Sequence, residues 1–120
     1  MSYVLLVEDN DDVRNMMVLL LGSYAYETAT ARNGAEGLAR MRERRPCLVL
    51  LDLHMPVMDG WEFRARQLQD PTIADVPVVC ITAMFHPQDV ERQLGVPCLQ
   101  KLVDFPSVIR AVENSCGPPV

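Results

Sequence analysis

Lysine is nearly absent from this sequence: of its 11 basic residues only Lys101 is a lysine, and the rest are arginine. No stripe of basic residues occurs and the formal net charge is −5, which makes direct contact with nucleic acid a poor expectation. No apolar run approaches the roughly 18 residues that a membrane span requires, so no membrane contact is expected either. The N-terminus carries no basic segment ahead of an apolar stretch, hence no secretory signal, and a cytoplasmic location is expected. The cysteines, Cys47, Cys80, Cys98 and Cys116, lack C-x-x-C spacing. That pattern suits neither a zinc site nor a disulfide scaffold, and reduced, mostly buried thiols are the expectation. Repeats, linkers and low-complexity segments are also missing.

What is present is 120 residues, 49% hydrophobic and 22% charged, enough for one globular domain with its own core. We read residues 1–120 as a single domain with a frayed tail over 116–120. Short apolar runs alternate with segments of helical period. Tyr3 to Val7 reads as a strand, and Val13, Met16, Met17, Leu20 and Leu21 mark one face of a helix closed by Gly22. These methionines and Met41 are assigned to the core. Glu27 to Ala31 is a second, weaker strand. Asn33 with Glu36 forms an N-terminal capping pattern for the next helix, which ends in a basic turn, Arg42 to Arg45.

Leu48 to Leu53 is a third strand, continuous in its apolar character, as a strand covered on both faces should be. Asp59 and Glu62 repeat the capping pattern, so a helix is expected over Gly60 to Gln69. Val78 to Thr82 is the fourth strand, Gln88 to Leu94 a short helix, Cys98 to Gln100 a fifth strand and Pro106 to Cys116 the last helix. Trp61 and Phe63 are read as covering the sheet. The alternation predicts an α/β, doubly wound, five-stranded parallel sheet of order 2-1-3-4-5, a flavodoxin-like three-layer sandwich. In such a fold, chemistry sits beyond the carboxyl ends of the strands.

Those ends are chemically unusual. The first strand runs into "VEDND", with Glu8, Asp9, Asp11 and Asp12; the third ends on Asp52; the fourth ends on Thr82 and the fifth reaches Lys101. Asp11 and Asp12 are read as a solvated helix start, where acidic side chains are favoured. Thr82 alone would be an ordinary strand residue, and Lys101 alone a solvated one. Asp52 is different, because it interrupts "CLVLLDL" where a buried strand has no use for charge. Glu8, Asp9 and Asp52 brought together would repel one another without a cation, and their oxygens suit a hard ion such as Mg²⁺. Lys101 adds positive charge, Thr82 can hydrogen-bond a phosphoryl oxygen, and a carboxylate can itself accept a phosphoryl group.

The stretches "VLLVEDNDDVR", "LVLLDLHMPVMDGWEF" and "VPVVCITA", together with Lys101, resemble the response-regulator receiver domains of two-component signalling over essentially the whole chain. The resemblance implies that Asp52 is the phosphoacceptor and that Asp9 binds Mg²⁺ directly. It also implies that Glu8 acts through water, that His54 offers its main-chain oxygen, and that Thr82 and Lys101 contact the phosphoryl group. A sensor histidine kinase or phosphotransfer protein would be the donor and a further protein the target. The protein would be a switch, monomeric or weakly dimeric when phosphorylated, rather than an enzyme with turnover.

Three departures stand out. Leu102 follows the lysine where receivers commonly have proline, so a trans Lys101–Leu102 bond, or a reshaped loop, is expected. Cys98 replaces the usual aromatic three residues earlier, leaving signalling to loop shifts or to residues such as Phe85. The segment between Thr82 and Lys101 has room for only about two helical turns, starting near Pro87. Competing readings are a phosphorylation-independent interaction module on the same fold, a phosphatase with a nucleophile on the first strand, and a flavin binder. The acidic loop argues against the last.

Overall fold

The computed structural model describes residues 2–83, 87–100 and 105–118. Its strands are short apolar runs: β1 (Val4–Val7), β2 (Thr28–Ala31), β3 (Leu48–Asp52), β4 (Val78–Thr82) and β5 (Cys98–Gln100). They alternate with α1 (Asp11–Ser23), α2 (Gly34–Glu43), α3 (Gly60–Gln69), α4 (Pro87–Leu94) and α5 (Phe105–Cys116). All strand pairs are parallel, in the order β2-β1-β3-β4-β5, as the alternation predicts.

Successive strand side chains point to opposite faces, and this divides the core into two layers. Leu5, Val7, Val49, Leu51 and Val78 face Leu38 and Met41 of α2, Phe63 of α3, and Val90 and Leu94 of α4. Val4, Leu6, Leu48, Leu50, Val79 and Ile81 face Met17 and Leu21 of α1 and Val108, Ile109 and Val112 of α5. β1, β3 and β4 are buried along their whole length, which is why their sequences are continuous rather than alternating.

Capping fixes where the helices begin. Asn33 Oδ1 accepts the Glu36 amide at 2.9 Å and Asp59 Oδ1 accepts the Glu62 amide at 2.9 Å, each satisfying an orphan donor. α4 spans eight residues and begins at Pro87, the short helix expected there.

Two expectations are corrected. Met16 is 39% exposed, while Met17 and Met41 are buried; the apolar face of α1 is wider than the sheet can cover. Cys47 and Cys116 form a disulfide, with Cα atoms 5.2 Å apart and a sequence separation of 69. Spacing rules see only local pairs, and this one is made by the fold. Cys80 and Cys98 remain free thiols and are buried. The bridge and a hydrogen bond from Tyr26 Oη to Gly117 O, 2.9 Å, hold the start of the segment read as a frayed tail. Phe85, Lys101 and Leu102, and with them the Lys101–Leu102 bond, lie outside the described residues.

Candidate functional site

The first acidic segment turns away from the sheet at Glu8, whose amide donates to Ala31 O at 3.0 Å. Its side chain is fully buried, and Oε2 accepts the Asn10 amide at 3.2 Å. Asn10 in turn caps α1, its Oδ1 accepting from Val13 N at 3.0 Å. Arg14 braces the turn: Nη1 donates to Glu8 O at 3.0 Å, and the same guanidinium pairs with Asp11. Asp11 and Asp12 stand exposed in the first turn of α1, where negative charge complements the helix dipole.

The second segment is the tip of β3. Asp52 is only 5% exposed, and its Oδ1 accepts the Leu53 amide at 2.9 Å. α3 starts hard against this tip. The Gly60 amide donates to Leu53 O at 2.8 Å, and a Cβ at Gly60 would lie 2.7 Å from Asp52 O. No side chain fits there without moving the phosphoacceptor candidate's own backbone.

These two segments bring one carboxylate oxygen each from Glu8, Asp9 and Asp52 within 4.8 Å of one another, with Glu8 and Asp52 buried and Asp9 exposed. Two unit charges 4 Å apart repel by about 4 kcal/mol at an effective dielectric constant near 20, so the cluster suits a cation. An all-oxygen, anionic donor set open on one side fits Mg²⁺, which keeps several waters and takes one or two protein carboxylates. Thr82, buried at 1% exposure, ends the neighbouring strand one residue beyond Ile81, the partner of Asp52. Ala83, next along, is exposed.

Around this cluster, His54 is exposed and its ring meets Trp61 edge-on at 5.5 Å. Trp61 Nε1 reaches α4, donating to Gln93 Oε1 at 3.2 Å. Cys98 lies opposite Cys80 on the adjacent strand, and its amide donates to Glu91 Oε1 at 2.8 Å. Burial raises both thiols above their ordinary pKa. The residue that replaces the usual aromatic is thus a small, inert core side chain beneath α4. The sequence pattern foresees the acidic cluster but not the bracing by Asn10 and Arg14; the only trace of it is an arginine six residues after Glu8.

The model of the response regulator receiver domain matches residues 4–112. The polar-differentiation response regulator DivK of Brucella anthropi is 32% identical over 117 residues, covering 95% of each chain. Chemotaxis protein CheY4 of Vibrio cholerae superposes with a TM-score of 0.83 at 26% identity, over 96% of this chain and 98% of its own. Response regulator TrrA of Thermotoga maritima, solved in complex with Mg(2+)-BeF, superposes with a TM-score of 0.82 at 25% identity, over 95% of this chain and 98% of its own. With the acidic pocket at the carboxyl end of a 2-1-3-4-5 sheet, the chain belongs to the receiver domains of two-component response regulators.

Proposed function

We propose that this receiver takes a phosphoryl group from a phosphohistidine of a sensor histidine kinase or phosphotransfer protein onto Asp52, with Mg²⁺, and thereby changes its contacts with a target protein. The observation that carries this reading is the convergence of Glu8, Asp9 and Asp52, two of them buried, on one point at the sheet's carboxyl end. Asp9 and Asp52 would hold the ion directly, His54 through its main-chain oxygen and Glu8 through water. When bound, the ion offsets the repulsion between the incoming phosphoryl oxygens and the carboxylates.

Asp52 is the nucleophile. One of its carboxylate oxygens bonds to phosphorus as the phosphorus–nitrogen bond of the donor breaks, and the departing imidazole nitrogen keeps the electron pair. The Leu53 amide on Oδ1 fixes the plane of the attacking group, and such positioning is most of what phosphoryl transfer needs. Thr82 hydrogen-bonds one transferred oxygen and Lys101 neutralises another. Water later cleaves the acyl phosphate, so the protein is a switch with slow self-dephosphorylation. The same reading treats residues 1–120 as one cytoplasmic receiver, monomeric or weakly dimeric when phosphorylated. It makes no contact with nucleic acid or membrane; among the described residues, no helix is long and apolar enough to cross a membrane.

Incubation with a small phosphodonor and Mg²⁺ tests this by intact mass and peptide mapping. One phosphoryl group on Asp52, absent in Asp52→Ala and on removal of the metal by a chelator, is the expected result. A label on Asp9 instead would assign the nucleophile to β1. No label on the native chain would favour the phosphorylation-independent module, the reading to which the buried Cys98 lends support.

A further inference from the structure

The four cysteines form two pairs with opposite chemical situations. Cys80 and Cys98 are buried neighbours on β4 and β5, out of reach of any reagent while the fold is intact. Cys47 and Cys116 are bridged and only partly buried, one immediately before β3 and the other the last residue of α5.

Static staples are typical of small domains that cannot build a core. Here two layers of buried side chains form the core, and Cys47 and Cys116 pack only at the edge of one of them. The surroundings of the bridge also accommodate the reduced pair. Cys47 Sγ lies 3.3 Å from Tyr3 O, an acceptor that a disulfide sulfur cannot use and a thiol can. The end of α5 has a second tie that needs no sulfur, the bond from Tyr26 Oη to Gly117 O. Opening the bridge therefore leaves the Cys47 thiol an acceptor in place and the end of α5 still tied through Tyr26.

We propose that Cys47–Cys116 is a reversible redox anchor, closed by thiol exchange with a disulfide oxidant, which leaves as the dithiol, and opened by a dithiol reductant, that sets the mobility of the last turn of α5 against the sheet. In the opening step a reductant thiolate attacks one sulfur and the Sγ–Sγ bond breaks; the released Sγ takes a proton. The reductant's second thiolate then attacks the mixed disulfide, releasing the other Sγ, which is also protonated. Two electrons pass to the pair, and the reductant leaves as its own disulfide. Because α5 packs on the face that β3 and β4 share with α1, this anchor makes the α5 surface responsive to redox conditions independently of Asp52.

The test equilibrates the full chain in buffers of reduced and oxidised dithiothreitol, quenches with acid, and counts alkylated thiols by mass after unfolding. Hydrogen exchange is followed in parallel. Two reactive thiols in the oxidised chain and four in the reduced one are expected, matching one bridge and two free cysteines. Amide exchange over residues 113–117 should rise on the order of tenfold on reduction, while β3 and β4 stay protected. Cys47→Ser and Cys116→Ser should each show three reactive thiols, and the amide exchange of the reduced native chain, in both buffers; should either fail to fold, the native chain still decides. Four thiols in the oxidised chain, a bridge that survives excess dithiol in the folded protein, or unchanged exchange over 113–117 would each overturn the proposal.

Discussion

At one end of β3 stands Asp52, crowded by Glu8, Asp9 and the start of α3. At the other stands Cys47, tied to Tyr3 O through its amide at 2.9 Å and to Cys116 through its sulfur. The first end collects like charges and tight approaches, all of which cost stability. The second end is secured by a covalent bridge, by Tyr26 on Gly117, and by Tyr3 Oη on Arg44 O at 2.6 Å. The proposed function would use this division: a phosphoryl group on Asp52 would change the charge at one end while the packed strand and the ties at the other hold position. The apolar strand between them is buried from Leu48 to Leu51 at 0% exposure and keeps the two ends in register.

The largest way to break the contrast is to unfasten the fixed end. By the chain-entropy relation, closing a loop of this length stabilises by about 4 kcal/mol. Cys47→Ser should therefore lower the denaturant midpoint of the oxidised protein by a corresponding amount and leave the reduced protein nearly unchanged, with phosphorylation of Asp52 retained. Equal loss in both redox states would mean that the serine disturbs packing and that the bridge is not the source.

A smaller effect should come from the reacting end. Gly60→Ala places a methyl group 2.7 Å from Asp52 O and 2.9 Å from Leu53 Cα, both backbone atoms that cannot swing away. Overpacking of this kind costs about 1–3 kcal/mol. Because the displaced backbone belongs to Asp52 itself, the phosphorylation rate should fall with stability, unlike in Cys47→Ser. A Gly60→Ala variant that loses stability but keeps its rate would show that the tip of β3 tolerates movement.

The two ends also differed in how far they could be read from sequence. The reacting end was legible because its signals are local: a carboxylate ending an apolar run, an acidic pair after another run, a capping aspartate before α3. The sheet order followed from the β-α alternation, and eight of the strands and helices lie within one residue of their expected limits at both ends. The fixed end was not legible, because it is made by contacts distant in sequence. Cys47 and Cys116 meet only once α5 has crossed back over the sheet. Gln67 is fully buried, its Nε2 donating to Ile73 O at 3.1 Å and Val76 O at 3.0 Å, partners that only the folded chain brings to it. Met16 fails for the opposite reason, since helical period marks an apolar face without saying how much of it the sheet can cover.

The finest distinction concerns backbone strain, for among the described residues each end has one non-glycine residue with positive φ. Ala25, φ 65°, follows α1 at the fixed end. It is surrounded by helix-end hydrogen bonds from Tyr24 to Leu21 O at 3.1 Å, Ala25 to Gly22 O at 2.9 Å and Tyr26 to Leu21 O at 3.1 Å, a setting in which the left-handed conformation is common. Val57, φ 69°, lies in the loop after Asp52, inside a three-residue turn closed by Met58 N donating to Pro56 O at 2.7 Å. A turn of that size with positive φ is rare and strained, and the β-branched side chain, 83% exposed, recovers nothing by packing. Glycine relieves the clash at either position and adds unfolded-state entropy at both. Val57→Gly should accordingly stabilise by about 0.5–1 kcal/mol, more than Ala25→Gly, because β-branching raises the cost of the left-handed region. Paired chemical denaturation of the two variants measures the difference. A gain at Val57 no larger than at Ala25 would place no extra strain beside Asp52, and the contrast between the ends would then rest on charge and close packing alone.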